Sequence, residues 1–275
     1  MTRKIEIVSV GNELLIGKTV NTNAQWLAKR VTSLGLSVER TTVIGDDVGQ
    51  IAQALRETVT RSPLFILTTG GLGPTFDDKT LEGVARAFDF ELEVNEKALE
   101  MIEEKYARYA KDLGRPKLEL TPARVKMARL PIGAKPLPNP VGTAPAVTLQ
   151  QDNVTVVALP GVPEEMKAIF DDSLLPLLKA AAGNTTFFET SLHVRGVMES
   201  AIAPLIDQVM HENPYIYIKS HPMGAEKKPR IELHLSTTAE KAATARQRVG
   251  RALVQISELI KARGGKTRTV KLKKP

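Results

Sequence analysis

The chain contains no cysteine. Disulfides and thiolate metal sites are therefore excluded, and a reducing, cytoplasmic setting is expected. No apolar run approaches the roughly 20 residues that a membrane-spanning helix needs, so no membrane partner is expected. The opening residues, MTRKIEIVSV, lead into a strand pattern and not into a secretory signal. There is no Gly-x-Ser-x-Gly, and no Ser-His-Asp arrangement can be picked out. The four histidines, His193, His211, His221 and His234, share no metal-ligand spacing and read as structural or surface residues. The stretch GNELLIGKT ends like a P-loop, but five residues separate Gly11 from Gly17 where that loop has four. Leu14, Leu15 and Ile16 are also too bulky for a backbone that must curl around phosphate. The C-terminal region lacks any Gly-x-x-Gly for clamping an RNA backbone, and no specific nucleic-acid partner is expected.

What is present is ordinary globular composition, with 42% hydrophobic and 25% charged residues over 275 positions. That length suits one large domain or a medium and a small one. The net charge of +7 is unevenly placed. The last fifteen residues, KARGGKTRTVKLKKP, hold seven Lys/Arg and no acid, and without them 31 bases face 31 acids. The basic excess is thus read as a solvated tail with weak, salt-sensitive attraction to polyanions.

Periodicity organises the chain. IEIVSV reads as a buried strand, and Trp26, Leu27, Val31 and Leu34 follow at helical spacing. SVERTTVIGDD, VGQIAQALRETVTRS, PLFILTTGG and KTLEGVARAF continue the alternation of strand and helix. This predicts an α/β fold, a three-layer, mostly parallel sheet with helices on both faces and ligands beyond the carboxyl ends of its strands. A charge-rich helix, a Pro/Gly-dense segment over 131–145 and a buried strand in NVTVVALPG complete a first domain, placed at 1–180. A β-α-β-β-α pattern then predicts a smaller α+β domain at 181–265, with Pro204 near the start of its first helix or bending it. Residues 266–275 are assigned to the basic tail.

TTGGLGPTFDDKT, Thr68–Thr80, is the strongest local signal. An apolar strand stops, Gly70, Gly71 and Gly73 permit close ligand approach, and a helix start follows. Thr68, Thr69 and Thr75 supply hydroxyls. Asp77 and Asp78 read either as helix caps or as a functional pair, since a carboxylate beside phosphate must hold a metal or act as a base. Asp46-Asp47 has the same two readings. Glu13 is a loop residue or a site residue at the edge of the first strand, Asn12 stands beside it, and Asn21 and Asn23 read as caps. In NPVGTAP, residues Asn139, Gly142, Thr143 and Pro145 form either a rigid surface turn or a rigid wall with polar groups aimed at a ligand.

GNELLIGKTVNTN, VIGDD, TTGGLGPTFDDKT, LPNPVGTAP and LPGVPEEM, in this order, resemble the CinA family of competence/damage-inducible proteins. Its N-terminal domain is similar to the MoaB/Mog-like molybdopterin-binding domain of cofactor-biosynthesis proteins. The resemblance is strong over residues 1 to 180 and weaker over a following KH-type domain; the form is that of archaeal stand-alone members. Asn12, Met127 and Ala146 depart from the usual family residues. The resemblance implies Asp78 and Asp46 as the functional carboxylates. It further implies metal-dependent hydrolysis of ADP-ribose or an FAD-like dinucleotide, with a divalent metal among Glu13, Asp46, Asp77 and Asp78 and a monovalent cation as a further candidate. The alternatives are a molybdopterin-binding or adenylylating cofactor-biosynthesis protein, or a non-catalytic pterin or nucleotide sensor. The family's amidase domain has no counterpart in the motif order, so no deamidation of nicotinamide mononucleotide is expected. The expected partner is a nucleotide or pterin small molecule, and a homo-oligomer is expected.

Overall fold

The computed structural model describes residues 3–114, 119–223 and 229–270. The chain divides into two compact units, residues 1–31 with 36–181 and residues 32–35 with 182–275.

The first unit runs β1 (Lys4–Val10), α1 (Asn12–Leu15), α2 (Thr22–Ser33), β2 (Ser37–Ile44), α3 (Val48–Thr60) and β3 (Phe65–Thr69). It continues with α4 (Thr80–Ala87), β4 (Leu92–Val94), α5 (Glu96–Asp112), α6 (Pro122–Lys126), β5 (Arg129–Pro131) and β6 (Lys135–Leu137). Strands β7 (Ala146–Gln151) and β8 (Val154–Leu159) precede α7 (Pro163–Ile169), a π-helical turn at Phe170–Leu174 and α8 (Leu175–Ala182).

Its main sheet has the order β2-β1-β3-β8-β7-β6. The first four strands are parallel. β7 and β6 then run antiparallel, so the sheet is mixed at one edge. Sequence reading finds one strand where β7 and β8 form a hairpin, because the β6–β7 connection is dense in proline and glycine. The apolar runs of β1, β3 and β8 are buried on both faces, which is the demand on strands inside a parallel sheet. Val8, Val10 and Ile66 pack in one cluster with Ile51 and Leu55 of α3, Val84 of α4 and Ile102 of α5. Ile7 and Leu67, at alternate positions, are buried toward the other face, as are Leu27 of α2 and Met166 of α7. Register aligns the carboxyl ends: Val10 lies beside Ile44, Ser9 beside Thr69, and Thr69 beside Leu159. The loops beginning at Gly11, Gly45, Gly70 and Pro160 therefore leave one edge together.

The second unit contains β9 (Thr186–Arg195), α9 (Glu199–Glu212), β10 (Tyr217–Pro222), β11 (Arg230–Ala239), α10 (Ala242–Ala262) and β12 (Lys266–Val270). The sheet order is β10-β11-β9-β12, antiparallel throughout. Leu192, Val194, Ile231, Leu233 and Leu235 form one core with Ile202 and Val209 of α9 and Val249, Ile256 and Ile260 of α10. Pro204 lies inside α9. The assignment of 266–275 to a tail is corrected over its first half: Lys266–Val270 pairs with Arg195–Ser191 as an edge strand. Residues 271–275 lie outside the described residues.

Candidate functional site

A cavity of about 450 Å³ opens at the shared carboxyl edge of the first unit. Its floor is the glycine segment after β3. Gly70 has φ 106°, and a Cβ there would stand 2.1 Å from the Val10 carbonyl oxygen, so only glycine lets β1 and β3 end side by side. The Gly70 N–H donates to the Leu159 carbonyl at 3.0 Å. Thr80, fully buried at the start of α4, locks the segment: its hydroxyl donates to Gly70 O at 2.7 Å and its N–H to Gly71 O at 3.1 Å. The N–H groups of Gly71, Leu72 and Gly73 have no acceptor among the described residues. Three successive amides of the segment that floors the cavity thus lack a protein partner among the described residues.

Beyond the glycines, Asp78 closes the loop on itself. Its Oδ2 accepts the Thr75 N–H at 2.8 Å and the Thr75 hydroxyl at 2.6 Å. The same hydroxyl lies 2.5 Å from Asp77 Oδ1. It has one proton for two carboxylates, so it is committed within the loop. Neither aspartate caps α4, whose N-cap position falls to Lys79 without a side-chain bond. The Asp77 carboxyl is held below its ordinary range, first by the Thr75 hydroxyl and then by a backbone N–H. On the loop's outer side Lys126, from the end of α6, donates its ammonium to the carbonyls of Thr75 and, at 2.7 Å, Asp78. Burial pulls the Lys126 pKa down, while the Asp78 carboxylate opposes that shift.

The other loops meet the same cavity. Asp46 Oδ2 accepts the Asn12 N–H at 2.8 Å, which ties the first turn of α1 to the β2–α3 loop. Asp47 is the cap of α3, accepting from the Gln50 N–H at 2.8 Å. Asn21 caps α2 through the Ala24 N–H at 3.1 Å. Asn23 does not cap; it donates to Thr69 Oγ1 at 3.0 Å and Gly161 O at 2.7 Å. The Thr69 hydroxyl is in turn donated to Pro160 O at 3.0 Å, so it braces β3 against the next loop.

Of the residues singled out by sequence, the cavity gathers Glu13, Asp46, Thr69, Gly70, Gly71, Gly73, Thr75, Asp77, Asp78 and Thr143. Asn12, Asn139, Gly142 and Pro145 do not line it. Asn139 organises its own turn: Oδ1 accepts the Gly142 N–H at 2.7 Å, and Nδ2 donates to Ala144 O at 2.8 Å and Glu165 Oε2 at 2.7 Å. A Cβ at Gly142 would stand 2.1 Å from the Glu165 carboxyl carbon, so a larger residue there would push that side chain aside. Sequence reasoning singled out neither Thr80 nor Lys126, and it carried Glu165 only within LPGVPEEM, read as a rigid turn or a wall at a ligand. A threonine ten residues after the first glycine of the cluster carries no signal of its own, and a lysine 48 positions from Asp78 meets it only through the fold.

Five carboxylates line the cavity, those of Glu13, Asp46, Asp77, Asp78 and Glu165, and no described lysine or arginine does. They do not converge: among the described residues no three acidic or histidine side chains are grouped to hold a metal ion. Asp46 is turned to Asn12, Asp77 and Asp78 to Thr75, and Glu13 folds back over Gly11, where a Cβ would meet its Oε1 at 2.5 Å. The residues present do not fit the expected divalent site as they stand.

Residues 6–180 match the family described as "Probable molybdopterin binding domain". A protein from Pyrobaculum arsenaticum is 46% identical over 260 residues, 94% of this chain and 95% of its own. One from Sulfurisphaera tokodaii is 41% identical over 261 residues, 94% of this chain and 96% of its own. The crystal structure of the protein CinA, of unknown function, from Thermoplasma acidophilum is 40% identical, with a TM-score of 0.57 over 63% of this chain and 98% of that one. No described helix is long and apolar enough to cross a membrane. The glycine-floored, carboxylate-lined edge thus belongs to a recognised kind of domain: the chain is a member of the molybdopterin-binding-domain family, with a CinA protein among its relatives.

Proposed function

We propose that the first unit binds a pterin of the molybdopterin type and serves the biosynthesis or handling of that cofactor. The observation that carries this reading is the charge of the cavity wall, five carboxylates with no described cationic side chain. A pterin ring presents an amino group and a ring N–H side by side, donors that a carboxylate oxygen accepts. We assign that edge to Asp78, whose Oδ1 has no donor among the described residues. A volume of about 450 Å³ lies within the range of small-molecule sites.

Hydrolysis of a nucleotide pyrophosphate draws less support. Metal-dependent hydrolysis needs carboxylates gathered around one ion, and those of the cavity are not gathered around one point. The test is a side-by-side titration of the protein with 6-hydroxymethylpterin and with ADP-ribose, with products assayed in the presence of magnesium and manganese. Saturable pterin binding without release of AMP is expected. AMP release from ADP-ribose, with no pterin affinity, would reverse the assignment.

A further inference from the structure

The sheet of the second unit has one face packed on α9 and α10 and an opposite face that carries cations without an anionic partner among the described residues. Register places Arg230 of β11 directly opposite Arg195 of β9, and Arg195 directly opposite Lys266 of β12. Three cations therefore stand in one row across three strands, and all three are exposed. Like charges directly opposite on neighbouring strands are destabilising. The next row on the same face holds His221, Glu232, His193 and Arg268. The row after it includes Lys219 and His234. Among the described residues two carboxylates occupy this face, and histidines take them: His234 Nε2 is 2.8 Å from Glu189, and His193 Nε2 is 3.9 Å from Glu232. Arg195, Arg230, Lys266 and Arg268 form no ion pair or side-chain hydrogen bond among the described residues. Tyr217, 57% exposed, lies on the same face in register with Ser236.

From this arrangement we infer that the face binds the backbone of a single-stranded polynucleotide without reading its sequence. An uncompensated row of like charges has a use when an anion completes it. A small phosphorylated metabolite calls for a concave enclosure, whereas these side chains stand on an open sheet. From Arg230 to Ser236 the strand advances about 20 Å, the reach of several nucleotides. Cations at one end and an exposed aromatic ring at the other are the two elements of single-strand binding, charge for the phosphates and a ring for stacking a base. Two of the cations, Lys266 and Arg268, belong to the segment that the sequence alone presents as a tail.

The experiment is fluorescence anisotropy of a labelled oligothymidylate with the full chain at several salt concentrations. Wild type is expected to bind, with affinity falling as salt rises. The variant Arg195→Ser/Arg230→Ser/Lys266→Ser is expected to lose at least about tenfold and to show a salt slope shallower by about two to three. Its melting temperature is expected to stay level or rise, because the like-charge row is relieved. A control removing three exposed lysines of the first unit, Lys97→Ser/Lys111→Ser/Lys179→Ser, is expected to bind like wild type. Should the triple variant fail to fold, Arg268→Ser alone serves, with a smaller loss in the same direction. No binding by wild type, an equal loss in the control, or equal affinity for polyglutamate or phosphatidylserine vesicles would each overturn the inference.

Discussion

Asp78 and Thr75 hold each other in place: one carboxylate oxygen accepts the Thr75 backbone N–H at 2.8 Å and the Thr75 hydroxyl at 2.6 Å. The carboxylate expected to meet the ligand is therefore also what shapes the loop that presents it. Substitutions at Asp78 must be chosen so that these two roles separate.

Asp78→Asn keeps an acceptor for the Thr75 N–H, and Asp78→Ala removes it. The asparagine variant is expected to unfold within about 0.5 kcal/mol of wild type in urea, and the alanine variant to lose about 1–2 kcal/mol. Both are expected to lose pterin affinity by about tenfold or more, because the asparagine sets an N–H donor where Oδ1 stood and the alanine leaves no acceptor there. Full pterin affinity in Asp78→Asn would assign the carboxylate to loop structure alone.

Thr80 is the buried pin of the glycine segment. Thr80→Val leaves the Gly70 carbonyl without its 2.7 Å donor in a place water does not reach. A loss of about 1–3 kcal/mol is expected, with Thr80→Ser largely restoring stability. Equal midpoints for Thr80→Val and wild type in urea melts would mean that the segment holds its shape without that bond.

Glu6, in the middle of β1, is 3% exposed and meets Arg61 through two bonds of 2.7 Å. Arg61→Met strands a carboxylate inside the fold. Arg61 itself is partly exposed, with a side-chain exposure of 32%, so the expected loss is about 2–3 kcal/mol, below the full value for a buried pair. Double substitution with Glu6→Gln is expected to recover part of it, measured by thermal melting at neutral pH.

The Asp77 carboxyl has a lowered pKa because the Thr75 hydroxyl and a backbone N–H favour its charged form. A group whose folded-state pKa is depressed contributes stability above its unfolded value and loses it as pH falls through the folded one. The bonded amides of Thr75 and Asp78 are therefore expected to keep their protection down to about pH 4 and to lose it on further acidification. Hydrogen exchange across that range checks this, and protection lost already at pH 6 would contradict it.

Strands β1, β3 and β8 were legible because each is an apolar run ended by glycine or proline, at Val10-Gly11, Thr69-Gly70 and Leu159-Pro160. The glycine segment was legible for the same reason. The edge strand at Lys266–Val270 was not, since KTRTV has no apolar face and gains its conformation only by pairing with β9. The roles of the aspartates were half legible. A capping pattern on sequence cannot separate Asp47, which does cap α3, from Asp77 and Asp78, which turn to Thr75. Asn139, read from the sequence as part of either a rigid turn or a wall at a ligand, is the buried knot of its turn, where the polar groups satisfy one another.

The central claim is that a carboxylate of the cavity reads the paired donors of a pterin ring. The most direct measurement compares the affinity of wild type for 6-hydroxymethylpterin with that for the corresponding lumazine, in which a carbonyl replaces the amino group. A carbonyl oxygen facing a carboxylate is repelled, so the pterin is expected to bind at least about a hundredfold more tightly. The preference is expected to shrink in Asp78→Asn, whose amide can donate to that carbonyl. Equal affinities for the two rings in wild type would contradict the account.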